Sequence, residues 1–88
     1  MYYVYVLKMK NGDLYKGSTK DLKRRYNEHL EGKVLSTKYK RPLVLIGYEA
    51  YILESDARRR ERFLKTTEGL RLLKQQYRDI LMNSGGVG

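Results

Sequence analysis

The chain has 88 residues, and its 19 Lys and Arg against 10 Asp and Glu give a formal net charge of +9. This length suits one small domain, and so basic a domain favours a polyanionic partner such as nucleic acid. The chain has no cysteine and only one histidine, which excludes disulfides and a zinc site built from His and Cys.

The hydropathy and charge pattern argues against a membrane-spanning segment, a signal peptide and a membrane-surface helix. No apolar run approaches the ~18 residues of a membrane span. The first residues lack the leading charge and long apolar core of a signal peptide. No segment pairs a basic face with a wide face of Trp, Phe and Leu, as a membrane-surface helix does. We therefore expect a cytoplasmic protein with no membrane partner; monomer is the default, and the oligomeric state stays open.

The first predicted element is a strand over residues 2–8, buried on both faces because neither alternate set of side chains is polar before Lys8. The Asn11-Gly12 pair predicts a hairpin turn into a second strand, residues 13–17. A two-residue loop would place Tyr5 and Tyr15 on opposite faces of the sheet. If both belong to one site, we predict a three-residue loop with Gly12 in the left-handed conformation.

A first helix is predicted over residues 20–31. Ser18 and Asp21 stand at the spacing of a capping box, and Gly32 is expected to end the helix. Apolar residues recur every four positions and predict a buried stripe of Leu22, Tyr26 and Leu30.

The second half of the chain begins with a basic loop, residues 33–41, and a third strand, residues 43–53, expected to be buried on both faces. Ser55 is expected to cap a second helix that runs to about Lys65. A third helix is predicted over residues 68–82. The inward stripe of the second helix places one carboxylate, Glu61, among the apolar side chains of Leu53, Ala57 and Leu64.

These elements predict an α/β fold in the order β-β-α-β-α-α. A small, three-stranded, largely antiparallel sheet would be flanked by helices. We expect residues 1–83 to form a single domain and residues 84–88 a flexible tail.

Five polar residues lean towards the predicted interior, and each has a structural alternative. A strand tyrosine is more often part of a core, a helix-edge arginine often covers apolar surface, and a lone histidine is more often hydrogen-bonded than catalytic. A buried charge nevertheless needs a partner or a metal. The five are Tyr5, Tyr15, Arg25, His29 and Glu61.

The order of these residues resembles the GIY-YIG nuclease family. Tyr3-Val4-Tyr5 stands at the first motif, Tyr15-Lys16-Gly17 at the second, and the run STKDLKRRYNEH follows. Residues 57–65 are similar to the family's glutamate-bearing helix. The resemblance extends over about residues 2–75. It suits a small stand-alone member, similar to the N-terminal catalytic domain of the excision-repair nuclease.

The resemblance implies a role for each residue. Tyr5 would activate or orient the attacking water, and Tyr15 would position the water or the phosphate. Arg25 would neutralise charge on the phosphate, with His29 close to the reacting centre. Glu61 would bind a single divalent metal, Mg²⁺ or Mn²⁺, which suits a hard cation held by one carboxylate and several waters.

A tyrosine base needs a pKa below its ordinary value of about 10. Lys8, Lys16 and the metal are the cations that we expect to lower it. The sequence departs from the family pattern at Tyr3, in place of glycine, and at Lys16, in place of isoleucine. Many relatives also carry an asparagine after the glutamate, for which Gln75, Gln76 and the distant Asn83 are weak substitutes.

Lysines and arginines outside these five positions are candidates for contacts with phosphates, which would be salt-dependent and largely independent of base sequence. The alternative for each is an exposed, solvated side chain. Arg59 and Arg60 belong to the same basic helix as Arg58 and Arg62. The candidates are Lys16, Arg24, Lys38, Lys40, Arg41, Arg58 and Arg62.

The predicted function is a metal-dependent endonuclease that acts on DNA, in repair, recombination or the processing of single-stranded or structured DNA. DNA is preferred over RNA as the substrate, although RNA stays open. The first alternative is a non-catalytic nucleic-acid-binding module on the same scaffold. The second is an interaction protein that pairs through its third helix.

Overall fold

The computed structural model describes residues 1–83, so the predicted tail lies outside the described residues. It confirms the predicted α/β fold and element order. The strands are β1 (Tyr2–Lys8), β2 (Leu14–Thr19) and β3 (Val44–Tyr51). The helices are α1 (Leu22–Leu30), α2 (Glu54–Leu64), α3 (Thr67–Gln76) and α4 (Arg78–Met82), and a 3-10 turn covers Lys38–Lys40. The predicted third helix is thus divided in two at Tyr77.

The three strands form one antiparallel sheet in the order β2-β1-β3. The central strand β1 is buried on both faces from Val4 to Leu7, as predicted. The prediction that β3 is buried on both faces was wrong. As an edge strand it leaves Val44 and Tyr48 exposed, because a continuous apolar run does not reveal how many neighbours a strand has.

The hairpin between β1 and β2 has the predicted three-residue loop. The N–H of Met9 donates to the carbonyl of Asp13 at 2.9 Å, and Gly12 takes a φ of +90°. Tyr5 is therefore paired with Gly17, and Leu7 with Tyr15. This register places Tyr5 and Tyr15 on one face of the sheet, because side chains alternate along each strand.

The sheet separates two apolar clusters, one on each face. On the side of α2 and α3 the buried members are Val4, Val6, Leu14, Ala57, Leu64 and Leu73. On the side of α1 they are Tyr5, Leu7, Met9 and Leu43. The face covered by α1 is the one that carries Tyr5 and Tyr15, so α1 positions the candidate site.

The start of α1 differs from the prediction. Asp21 itself caps the helix, because its carboxylate accepts from the N–H of Arg24 at 3.1 Å. Ser18 lies in β2 and takes no part in this cap, so the predicted capping box was wrong. Gly32, with a φ of +76°, follows the last turn as expected, and the N–H of Lys33 bonds back to the carbonyl of Glu28.

The buried face of α1 was predicted only in part. Leu22 and Tyr26 pack against the sheet, but Leu30 is exposed, and His29 is the fully buried residue of the helix. Periodicity favoured leucine over histidine at the inner face. Histidine takes that position because both of its ring nitrogens find partners in the fold.

The second helix also begins earlier than predicted. It starts at Glu54, and Ser55 lies in its first turn, so the predicted serine cap was wrong. Ala57 and Leu64 are buried as expected, whereas Leu53 is exposed. Among residues 1–83, no helix has the length and apolar character required to cross a membrane.

Candidate active site

Three residues, one each from β1, α1 and the loop after α1, form a buried hydrogen-bonded network at the inner face of α1. The hydroxyl of Tyr5 lies 2.8 Å from Nε2 of His29, and Nδ1 of His29 lies 2.8 Å from Oγ1 of Thr37. The exposed fractions of Tyr5, His29 and Thr37 are 1%, 0% and 0%. We call this set the Tyr5–His29–Thr37 network. Thr37 was not predicted, because a threonine in a basic loop gives no sequence signal of burial.

The network has a definite direction. The hydroxyl of Thr37 donates to the carbonyl of Val34 at 3.5 Å, so its oxygen is left to accept a hydrogen bond from Nδ1–H of His29. We therefore assign the Nδ1–H tautomer, in which Nε2 accepts from the hydroxyl of Tyr5. Burial, together with the positive charge of Arg25, lowers the pKa of His29 to about 4, so the ring is neutral at pH 7.

Tyr15 completes an aromatic cluster around the network. Its ring centroid lies 5.0 Å from that of His29 and 6.2 Å from that of Tyr5. Gly17 allows the close approach of Tyr5 to β2, because a Cβ at this position would lie 2.6 Å from the Tyr5 hydroxyl oxygen. The absence of a side chain at Gly17 thus serves close approach and not a left-handed backbone conformation, because its φ is not positive.

The pKa of Tyr5 differs from the expectation of a lowered value. Burial and the neighbouring Tyr15 raise it to about 12, while Arg25 offsets part of this effect. Lys16 belongs to the opposite face of β2, where burial and the ammonium groups of Lys65 and Lys74 lower its pKa. The lysines of the hairpin therefore do not lower the pKa of Tyr5, and Tyr5 is a neutral hydrogen-bond donor at pH 7.

Arg25 lies at the margin of this cluster, where its guanidinium stabilises the ionised form of Tyr5. It also forms an ion pair with Glu28 at 3.0 Å, and this hydrogen bond raises the pKa of Arg25. About a third of each side chain is exposed. The guanidinium is thus a permanent positive charge beside two tyrosines, and its partner Glu28 is one helical turn away.

Glu61 lies on the other face of the sheet, on α2. It accepts hydrogen bonds from Ser18 of β2 and from Lys65, whose Nζ is 2.7 Å away. Burial raises the pKa of Glu61, but the hydrogen bonds from Lys65 and Ser18 outweigh this and lower it overall, so the carboxylate is ionised at pH 7. The structure therefore brings Tyr5, Tyr15, Arg25 and His29 together, while Glu61 borders β2 from the opposite side.

The residues around Glu61 fit a hard divalent cation held by few protein ligands. In residues 1–83 no group of three His, Cys, Asp or Glu side chains could hold a metal ion, so a metal ion there would have at most two such ligands. Mg²⁺ commonly binds through one or two carboxylates, with water and substrate phosphate filling the other positions. Glu61 is ionised, 20% exposed, and contacts a hydroxyl and a flexible lysine that can move away.

The sequence and the fold of the chain were compared with those of known proteins. Residues 1–77 match the model of the GIY-YIG catalytic domain. The chain belongs to the GIY-YIG family. A UPF0213 protein of Staphylococcus saprophyticus is 36% identical over 74 residues, which cover 83% of this chain and 90% of that protein. A UPF0213 protein of Staphylococcus aureus is 37% identical over 79 residues, which cover 85% of this chain and 96% of that protein.

The fold agrees with this assignment to the GIY-YIG family. The solution NMR structure of a UPF0213 protein from Bacillus halodurans matches with a TM-score of 0.56 and 31% identity, and the match covers 86% of this chain and 85% of that chain. Both GIY-YIG motif segments therefore lie on the paired strands β1 and β2, and the glutamate-bearing segment is α2.

A basic groove of about 470 Å³ follows the outer edge of β2 in this GIY-YIG fold. Asp13 is the acidic residue of its lining. Lys65 and Lys74 were not predicted from the sequence, although Lys65 stands four residues after Glu61, at the C-cap of α2. We name it the edge groove; its main polar side chains are Tyr15, Lys16, Lys40, Lys65 and Lys74.

The other predicted phosphate contacts are distributed around the molecule. Arg24 lines a separate groove at the start of α1, and Lys38 lies over the ring of Tyr39. Arg41 donates to the carbonyls of Lys38 and Leu30, which gives it a structural role. Three arginines of α2 have acidic partners: Arg58 with Glu54, Arg59 with Asp56 and Arg60 with Glu49, whereas Arg62 is exposed.

The low pKa of His29 predicts acid sensitivity. Its folded pKa of about 4 lies below its ordinary 6.5, so the unfolded chain binds the proton first. The contribution of neutral His29 to the free energy of unfolding is complete above its ordinary pKa and is lost as pH falls towards its pKa in the folded protein. We expect wild type to lose roughly 2–3 kcal/mol more than His29→Gln between pH 7.5 and about pH 4.5, measured by urea unfolding. Equal losses would contradict the assignment.

Proposed function

We propose that this protein is a divalent-metal-dependent endonuclease that hydrolyses DNA phosphodiester bonds. The observation that carries the proposal is the buried Tyr5–His29–Thr37 network, which lies behind Tyr15 at a lysine-lined groove in a member of the GIY-YIG family. The shifted pKa values of Tyr5 and His29, together with the exposed cationic groove, are typical of a functional site.

The network supports a proton relay through Tyr5. Its pKa of about 12 argues against a preformed tyrosinate, whereas the lone pair of the neutral His29 Nε2 can accept the hydroxyl proton. As the water oxygen attacks phosphorus, Tyr5 takes the water proton and passes its own to His29. Thr37 holds the tautomer that leaves Nε2 free. Because Tyr5 is buried, the water would approach from the side of Tyr15, which would orient it.

Charge stabilisation would come from two sides of the phosphate. Arg25 would neutralise the charge that develops on the non-bridging oxygens, as a fixed guanidinium does in phosphoryl transfer. Glu61 would hold the metal ion, Mg²⁺ or Mn²⁺, which when bound supplies Lewis-acid stabilisation of the leaving oxygen. Lys65 would move from Glu61 towards the substrate in the edge groove, where Lys16, Lys40 and Lys74 would bind neighbouring phosphates.

We infer that DNA is the substrate in preference to RNA, and that the setting is repair, recombination or processing of single-stranded or structured DNA. Residues 1–83 would act as one catalytic domain, cytoplasmic and monomeric by default. The contacts expected in the edge groove are with phosphates, so we expect strong dependence on salt and weak dependence on base sequence.

The test is a cleavage assay on labelled single-stranded, duplex and branched DNA with Mg²⁺, with Mn²⁺ and with EDTA. The matched control is a double variant, Tyr5→Phe with Glu61→Gln, purified in the same way to exclude a contaminating nuclease. We expect cutting with either metal, none with EDTA and none by the double variant. Equal cutting by the wild type and the double variant would refute the proposal.

Two observations favour a second candidate, a nucleic-acid-binding module without catalysis. The carboxylate of Glu61 is already engaged by Ser18 and Lys65, and Gln75 and Gln76, the nearest substitutes for the family's late asparagine, are exposed on α3. Salt-sensitive DNA binding without cleavage of any substrate under any metal condition would favour this alternative.

A further inference from the structure

A second groove, outside the catalytic cluster, combines aromatic rings with cations. Its volume is about 810 Å³, and it lies between the start of α1 and β3. The rings of Tyr3 and Tyr48 meet edge to face, with centroids 6.0 Å apart. Tyr48 is 56% exposed on the edge strand β3. We call it the tyrosine groove; its polar members are Tyr3, Lys20, Lys23, Arg24, Tyr26 and Tyr48, with Asp21.

The charge of this groove favours an anionic ligand. Lys20, Lys23 and Arg24 contribute three positive charges, and each of these residues is exposed. The one carboxylate in the lining, that of Asp21, already accepts the N–H of Arg24 as the cap of α1. Cations next to an exposed ring suit a ligand that offers both a phosphate and a flat base.

The aromatic component distinguishes single strands from duplexes. A base can stack on a side-chain ring only where it has left its own helical stack, as in single strands, loops and frayed ends. Such stacking tolerates any base, because every base has a π-face. A groove made only for duplex phosphates would gain nothing from the exposed face of Tyr48.

The position of the groove connects it to the catalytic cluster. Tyr48 of β3 and Gly17 of β2 are both paired with Tyr5, on its two sides. Neighbouring strands lie about 4.8 Å apart, so roughly 10 Å separates the backbones of β2 and β3 at this level. Lys20 follows β2 directly. One short single strand could therefore pass the start of α1 and reach Tyr15.

We propose that the tyrosine groove binds single-stranded nucleic acid next to the reacting phosphate, with one base stacked on Tyr48 and phosphates on Lys20, Lys23 and Arg24. This inference rests on the proposed function for its substrate class. It predicts that the protein prefers single-stranded or frayed substrates to continuous duplex.

The experiment measures binding in EDTA by fluorescence anisotropy, with two labelled 12-nucleotide probes. One is oligothymidylate, and the other is an abasic strand with the same phosphates. We expect Tyr48→Ala to bind oligothymidylate roughly tenfold more weakly and the abasic strand as wild type does. Tyr48→Phe, which keeps the ring, should bind both as wild type does. Tyr39→Ala, which removes an 82% exposed tyrosine outside this groove, is the matched control.

A second variant tests the cationic part independently of the ring. Lys23→Ala should weaken the binding of both probes and lower the slope of log K against log salt by roughly 0.7. Tyr48→Ala binding like Tyr39→Ala, or losing equally on both probes, would overturn the inference, as would an unchanged salt slope for Lys23→Ala. Metal-dependent cleavage by wild type is read separately, so failure of the nuclease proposal remains distinguishable from failure of this one.

Discussion

Replacing Glu61 with Gln is expected to lower metal-dependent cleavage roughly a thousandfold or more while DNA binding is retained or slightly tightened. Gln keeps the shape and can still accept from Ser18, but it lacks the negative charge that a hard cation requires. A metal contributes several kcal/mol of charge stabilisation, and each 1.4 kcal/mol is about tenfold in rate. The measurement is single-turnover cleavage at several Mg²⁺ concentrations.

The matched control for this variant is Glu68→Gln, which removes one negative charge from α3. Glu68 is exposed and paired with Arg71, so its loss should leave cleavage unchanged. The Glu61–Lys65 pair is itself partly exposed, and its loss should change the free energy of unfolding by less than about 1 kcal/mol. Equal cleavage by Glu61→Gln and Glu68→Gln would contradict the assignment of the metal ion to Glu61.

Replacing Tyr5 with Phe is expected to lower the rate of cleavage by roughly 10²–10⁴-fold, the range of general acid–base catalysis, with metal affinity and DNA binding retained. The ring still fills its place in the core, so the lost hydroxyl alone accounts for the effect. His29→Gln should produce a comparable loss. The variant that combines Tyr5→Phe with His29→Gln should cleave only slightly more slowly than either single variant, because residues of one relay act as a unit.

Tyr26→Phe is the structural control for Tyr5. The hydroxyl of Tyr26 accepts a hydrogen bond from the N–H of Leu45 at 3.3 Å. It is therefore a second hydrogen-bonded tyrosine hydroxyl between α1 and the same face of the sheet. We expect a small loss of stability and cleavage within a fewfold of wild type, because Phe keeps the ring with which Tyr26 lines the tyrosine groove. If Tyr5→Phe cuts within a fewfold of Tyr26→Phe, the proton relay is wrong, even if the protein is a nuclease.

The hairpin turn and the end of α1 were readable from the sequence because neighbouring residues determine them. Asn11-Gly12 and the requirement that Tyr5 and Tyr15 share a face together predicted the three-residue loop and its register. Gly32 predicted the end of α1, and the order of motif residues predicted the family. Turn type, helix ends and the alternation of side chains along a strand depend on the dihedral angles of a few adjacent residues, so short sequence patterns predict them.

Tertiary structure decided the partners of the buried polar groups and the surroundings of each strand. The burial of His29 depends on Tyr5 and on Thr37, which stands in a loop with no period of its own. The raised pKa of Tyr5 follows from that burial, and the exposure of Tyr48 follows from the edge position of β3. Contacts between residues far apart in sequence depend on how the elements pack, which no local pattern records.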